Sequence, residues 1–102
     1  MAYIESHSCV RFILGADDAS VRAQGFKSHV RFEVPSDPGT CSSSIGNSQI
    51  SPQTLYLGAN CFHQSTIIHE ILHTMGFAHE QSRYDRDDYI VLDPSKFCKY
   101  IF

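Results

Sequence analysis

The stretch that most constrains this chain is His69-Glu70-Ile71-Leu72-His73-Thr74-Met75-Gly76-Phe77-Ala78-His79-Glu80. Two histidines four residues apart on a helix stand on one face, one turn apart, so both reach a single ion. Any fold the chain adopts must therefore supply a helix through His69 and His73. Gly76 takes the left-handed conformation that ends a helix at no steric cost. The backbone then turns and His79 swings back as a third ligand. Three neutral imidazoles plus a water form a zinc site with an open position, the kind that does chemistry.

Glu70 follows His69 and is placed to hold that water without ligating the ion. Zinc lowers the pKa of its water from about 15.7 towards 7 and polarises a carbonyl. Glu70, as general base, takes the proton and carries it to the leaving nitrogen, so a peptide bond is hydrolysed without a covalent intermediate. A structural zinc more commonly uses four protein ligands, mostly cysteine, and has no use for Glu70. The other rival is a zinc-binding but catalytically inactive fragment, a decoy or interaction module. A helix with two surface histidines before a polar loop leaves the positions of Gly76 and His79 unexplained. His7, His29 and His63 have no partner at ligand spacing and read as ordinary polar or boundary residues.

Composition narrows the class. The chain has 102 residues, one domain's worth, and 42% are hydrophobic, so a globular core is expected. Formal net charge is −3 with no basic run, which argues against nucleic acid as a partner. No apolar stretch approaches membrane-spanning length. There is no Gly-x-Ser-x-Gly, so a serine hydrolase has no support. Cys9, Cys41, Cys61 and Cys98 form no CxxC pair, and an even count reads as a secreted, extracellular, disulfide-bonded protein. Three pairings are open. Joining Cys41 to Cys61 would close a loop of about 20 residues and contribute roughly 3 kcal/mol. Met1 is not followed by a basic start, an apolar run and a small-residue cleavage site, which leads to the expectation that the chain is a fragment.

Along the chain, residues 1–8 read as the last turns of a helix. Residues 9–14 read as a strand with Val10, Phe12 and Leu14 on one face. Residues 15–18 read as a turn, and 19–28 fit no single template. Residues 29–34 are the clearest strand, with Val30, Phe32 and Val34 on a buried face. From Pro35 to Pro52 the composition is that of a loop, with a short strand near Ser44 and Ile45. Its length points to function or to a covalent staple. Thr54 to Leu57 is a third strand, and its bounds at Pro52 and Gly58 suit an edge. The zinc helix is expected to start near Ser65 or Thr66, with Ile68, Leu72 and Met75 as its buried stripe. Ile90, Val91 and Leu92 return to the core, and residues 93–97 are expected to open another helix.

The segment from Cys61 through Tyr89 resembles the astacins among the metzincin metalloendopeptidases. It carries Thr66-Ile67-Ile68-His69-Glu70, then Gly76-Phe77-Ala78-His79-Glu80, then Arg83-Tyr84-Asp85-Arg86-Asp87. Cys9-Val10-Arg11-Phe12 is similar to the strand after that family's first long helix. The resemblance implies an α+β, zincin-like fold in which a twisted mixed β-sheet backs the active-site helix. It implies His69, His73 and His79 as zinc ligands, Glu70 as general base, and a Cys41–Cys61 disulfide. Glu80 matches the residue that contacts the new N-terminus in mature members. Thr54, Leu55, Tyr56 and Leu57 match an edge strand along which a protein or peptide substrate lies. The charged run 80–89 is then a structural ion-pair loop. Residues 1–102 correspond to a partial catalytic domain, the upper subdomain, without the first strand and the Met-turn subdomain with its tyrosine. Met75 is no substitute for that turn. Cys9 pairs, in that family, with a cysteine that lies beyond residue 102, and Cys98 matches no cysteine of the pattern.

Overall fold

The computed structural model describes residues 1–93 and residue 95. The expected helix over 93–97 and the partner of Cys98 fall largely outside those residues. Three short strands build one sheet: β1 (Val30–Glu33), β2 (Cys41–Ser42) and β3 (Gln53–Leu57). Helix α1 (Ala2–His7) precedes them, as does α2 (Asp18–Ala23), and α3 (Gln64–Thr74) follows. The sheet order is β1-β3-β2, parallel between β1 and β3 and antiparallel between β3 and β2. This is a small mixed α+β fold.

Alternation along β3 decides what faces inward. Gln53, Leu55 and Leu57 are buried, while Thr54 is half-buried and Tyr56 exposed. α3 packs across β3 and β2. Its inward residue is Ile71, with Ile67, Ile68 and Met75 partly buried around it. Of the expected stripe, Ile68 and Met75 pack against the core, while Ile71 takes the central place expected of Leu72. Ile4 of α1 joins Leu55, Leu57, Ile71 and Cys61 in the core cluster. The Cys41–Cys61 disulfide, spanning 20 residues, ties β2 to the approach of α3.

Several expectations are corrected. Residues 9–14 form no strand: the N–H of Phe12 donates to Glu5 Oε1 at 2.9 Å instead of to a neighbouring strand, and Leu14 is 82% exposed. Register pairs Phe32 with Leu55, so Phe32 is on the core face as expected, yet it is 42% exposed and Val34 68%. α3 covers the two strands away from β1, and alternation in sequence reports a face, not its cover. Thr54, Leu55, Tyr56 and Leu57 are not an edge strand. β3 is the middle strand, and Leu55 and Leu57 belong to the core. The flanking glycine misled because Gly58 serves packing: a Cβ there would fall 2.4 Å from the Pro38 carbonyl oxygen. The short strand before β3 is Cys41–Ser42, not Ser44-Ile45.

Helix boundaries moved for local reasons. α2 forms within the stretch that fitted no template because Asp17 and Ser20 make reciprocal cap bonds. α3 starts after His63, whose carbonyl accepts from Ile67, without a side-chain cap. Val91 is 98% exposed and does not return to the core. The charged run folds on itself as two 3₁₀ turns, Glu80–Ser82 and Arg86–Asp88. Arg83 grips Asp85 with two bonds of 2.8 Å, reaches Glu80 at 3.3 Å, and lies 5.6 Å over the Tyr89 ring. It is an ion-pair loop whose partners all lie within the run.

Candidate metal centre

The centre begins with how α3 ends. Gly76 has φ +102°, a conformation that side chains rarely take. Its N–H donates to the His73 carbonyl at 2.9 Å, and that of Phe77 to the Leu72 carbonyl at 3.1 Å. These are the paired bonds of a Schellman closure, which sends the chain back past its own last turn. His79 arrives three residues later in extended conformation.

The return brings three imidazoles together. Nε2 of His79 lies 3.2 Å from Nε2 of His69 and 3.1 Å from Nε2 of His73. The three ligand atoms lie within 4.8 Å of one another. Nitrogens each about 2.0–2.1 Å from a tetrahedral zinc stand about 3.3 Å apart, so the set fits such an ion. His69 and His79 are exposed and His73 is buried, leaving one side of the cluster open to solvent.

The buried member has its tautomer set. Nδ1 of His73 is 2.7 Å from the Phe77 carbonyl oxygen. A carbonyl only accepts, so Nδ1 carries the hydrogen and Nε2 keeps its lone pair for a metal. The same helix-ending turn that returns His79 thus supplies the acceptor for His73.

Glu70 is 5% exposed and stands outside the histidine cluster. Ser43 Oγ lies 2.8 Å from the Glu70 carbonyl oxygen and 3.1 Å from its Oε2. Ser43 follows β2 directly, which places the continuation of that outer strand against the residue beside His69. Among the described residues the other side of β2 carries no strand.

Three residues were missed in the sequence. Ser43 sits in Ser42-Ser43-Ser44 and reads as linker. Gly46 donates its N–H to the His73 carbonyl at 2.7 Å. Gln53, buried, bonds the loop between them. The length of the 35–52 loop was the one signal for Ser43 and Gly46; nothing marked Gln53, which opens β3. Glu80, singled out by resemblance, is exposed and paired with Arg83. Cys9 is exposed and makes no disulfide among the described residues.

Comparison with known proteins extends the geometry. The family model for the Astacin peptidases matches residues 1–99. Human meprin A subunit beta is 56% identical over 50 residues, covering 49% of this chain and 7% of that protein. Protein SpAN of Strongylocentrotus purpuratus is 39% identical over 90 residues, 88% of this chain and 14% of its own length. Human tolloid-like protein 1 is 32% identical over 92 residues, 90% of this chain and 8% of its own. The chain thus spans a small fraction of the relatives it matches. With the family model covering nearly its whole length, the chain belongs to the astacin family of peptidases.

Proposed function

We propose that this chain carries the zinc site of a metalloendopeptidase that hydrolyses peptide bonds in extracellular proteins. The observation that supports this most directly is the convergence of three imidazoles, with Nε2 of His79 3.1–3.2 Å from Nε2 of His69 and of His73, on a helix that also carries the buried Glu70. Residues 1–102 would be the upper part of a catalytic domain. The zinc dependence of the astacin family and the Cys41–Cys61 disulfide agree with that reading. No helix among the described residues is long and apolar enough to cross a membrane.

Bound by His69, His73 and His79, zinc supplies Lewis acidity and an acidified water. The roles of the chain's own groups follow from their places. His73, with its hydrogen committed to Phe77, offers a fixed lone pair. Glu70, buried and next to His69 in sequence, would take the proton of the attacking water. It then delivers that proton to the nitrogen that leaves. An extended substrate would add to the free side of β2, whose backbone groups face no strand there. That position replaces Thr54 to Leu57 as the docking strand, because β3 is occupied on both sides.

A structural zinc would give Glu70 no task, yet it is the only acidic side chain buried among the described residues. The deciding experiment compares the zinc-loaded chain with Glu70→Gln on an internally quenched peptide library between pH 5 and 9. Glu70→Gln is expected to retain one zinc per chain by elemental analysis and to lose hydrolysis by at least a hundredfold, within the range of general-base contributions of roughly 10²–10⁴. Chelation should abolish the activity and zinc restore it. A zinc-loaded chain that cleaves nothing would refute turnover by this chain while leaving metal binding intact.

A further inference from the structure

Three polar side chains are buried among the described residues: Gln53, Glu70 and His73. One strap, residues 43–48, touches all three. At its start Ser43 Oγ meets the Glu70 carbonyl oxygen at 2.8 Å and Oε2 at 3.1 Å. In its middle the Gly46 N–H donates to the His73 carbonyl oxygen at 2.7 Å. From the other side Gln53, on the central strand, holds the strap. Its Nε2 donates to the Gly46 carbonyl at 2.9 Å and the Ser44 carbonyl at 3.4 Å, and its Oε1 accepts from the Ser48 N–H at 2.9 Å. The sheet therefore grips α3 through the strap, at the residue read as base and at a ligand one turn on.

We propose that Ser43 is a positioning residue for Glu70. A glutamate side chain has several rotatable bonds, and a carboxylate that must meet a water at one place gains from being held. Ser43 sets it through Oε2, the oxygen its hydroxyl reaches. Oε1 accepts no hydrogen bond from the described residues and is the oxygen left to work. The single hydroxyl hydrogen is shared between Oε2 at 3.1 Å and the main-chain carbonyl of the same residue at 2.8 Å, which ties the carboxylate to its own helix turn. Outer groups of this kind are typically worth roughly 10- to 100-fold in activity or metal affinity.

The inference rests on Glu70 as base, so its test has an arm that needs no turnover. In the full chain labelled with ¹³C-glutamate, the Glu70 carboxyl resonance is identified by its loss in Glu70→Gln. Ser43→Ala is expected to move that resonance and Ser43→Thr, which keeps the hydroxyl, to return it. In the zinc-loaded chain Ser43→Ala should lower kcat roughly 10- to 100-fold with KM and zinc content unchanged, and Ser43→Thr should recover most of the rate. A Glu70 resonance indifferent to Ser43→Ala would overturn the inference, as would a wild-type kcat in that variant. If Ser43→Ala does not fold, Ser43→Cys, close in size and a weaker donor, is read the same way. No hydrolysis by the unsubstituted chain refutes turnover by this chain, and the resonance then decides the role of Ser43 by itself.

Discussion

At the residue scale the centre depends on one backbone conformation. Gly76 at φ +102° both closes α3 and presents Phe77, whose carbonyl fixes His73. A Cβ at that position would meet no atom within 4 Å, so the obstacle to a side chain is the backbone conformation itself. Gly76→Ala is therefore expected to cost about 1–2 kcal/mol, the left-handed penalty for an L-residue. Because the turn carries His79, the same change should weaken zinc binding. Chemical denaturation and competitive zinc titration of the variant check both, and an unchanged zinc affinity would detach the turn from the site. Glu70 and His73 differ in where their support comes from. The partner of the Glu70 side chain lies far off in sequence, while that of the His73 ring lies in the turn that follows it.

At the element scale, α2 shows how little holds a helix that buries nothing. None of its residues is buried, and its tie to the sheet is Asp18, which accepts from Arg31 at 2.6 Å and meets His29 Nε2 at 2.8 Å. The hydrogen bond from Arg31, then that from His29, holds the Asp18 carboxyl below its ordinary value of 3.8. A depressed folded pKa contributes stability that is present above the unfolded value. That contribution is lost as pH falls through the folded one. Protection of α2 amides should accordingly drop below about pH 4, and Asp18→Asn should remove that acid step by lowering protection at neutral pH. Hydrogen exchange of residues 18–23 across pH 2–6 measures it, and an acid step that persists in Asp18→Asn would assign it elsewhere. The ion pair is exposed, so the effect is local and does not reach the core.

At the scale of the molecule, the cover on the sheet is uneven. α3 lies on β3 and β2, while the core face of β1 opens into a cavity of about 460 Å³ lined by Phe12, Val21, Phe26, Val30, Phe32 and Ile71 among others. The radius of gyration is 16.1 Å, against about 13 Å for a compact chain of this length. Large apolar side chains, Ile13, Leu14, Val34 and Tyr89 among them, stand exposed. Apolar surface on this scale favours association. Average mass in sedimentation or light scattering is expected to rise with concentration, with a hydrophobic dye bound at low concentration. A monomer that keeps one mass across that range and binds no dye would contradict it.

What the sequence determined by itself was the geometry that rests on local spacing. Histidines at i and i+4 share a helix face in any fold, and a glycine three residues after the second ends that helix wherever it lies. The 69–80 stretch therefore announced its geometry, and the ion-pair loop after it closes on residues of its own run. The tertiary structure alone decided which strand was central, because strand order depends on pairing between distant segments. Thr54 to Leu57 carried the marks of an edge and became the middle of the sheet, and the free side passed to Cys41–Ser42. It also decided what Ser43 and Gln53 touch. A serine 27 residues before Glu70 has no local reason to meet it, and only the crossing of the strap over α3 brings one of a run of serines against Glu70.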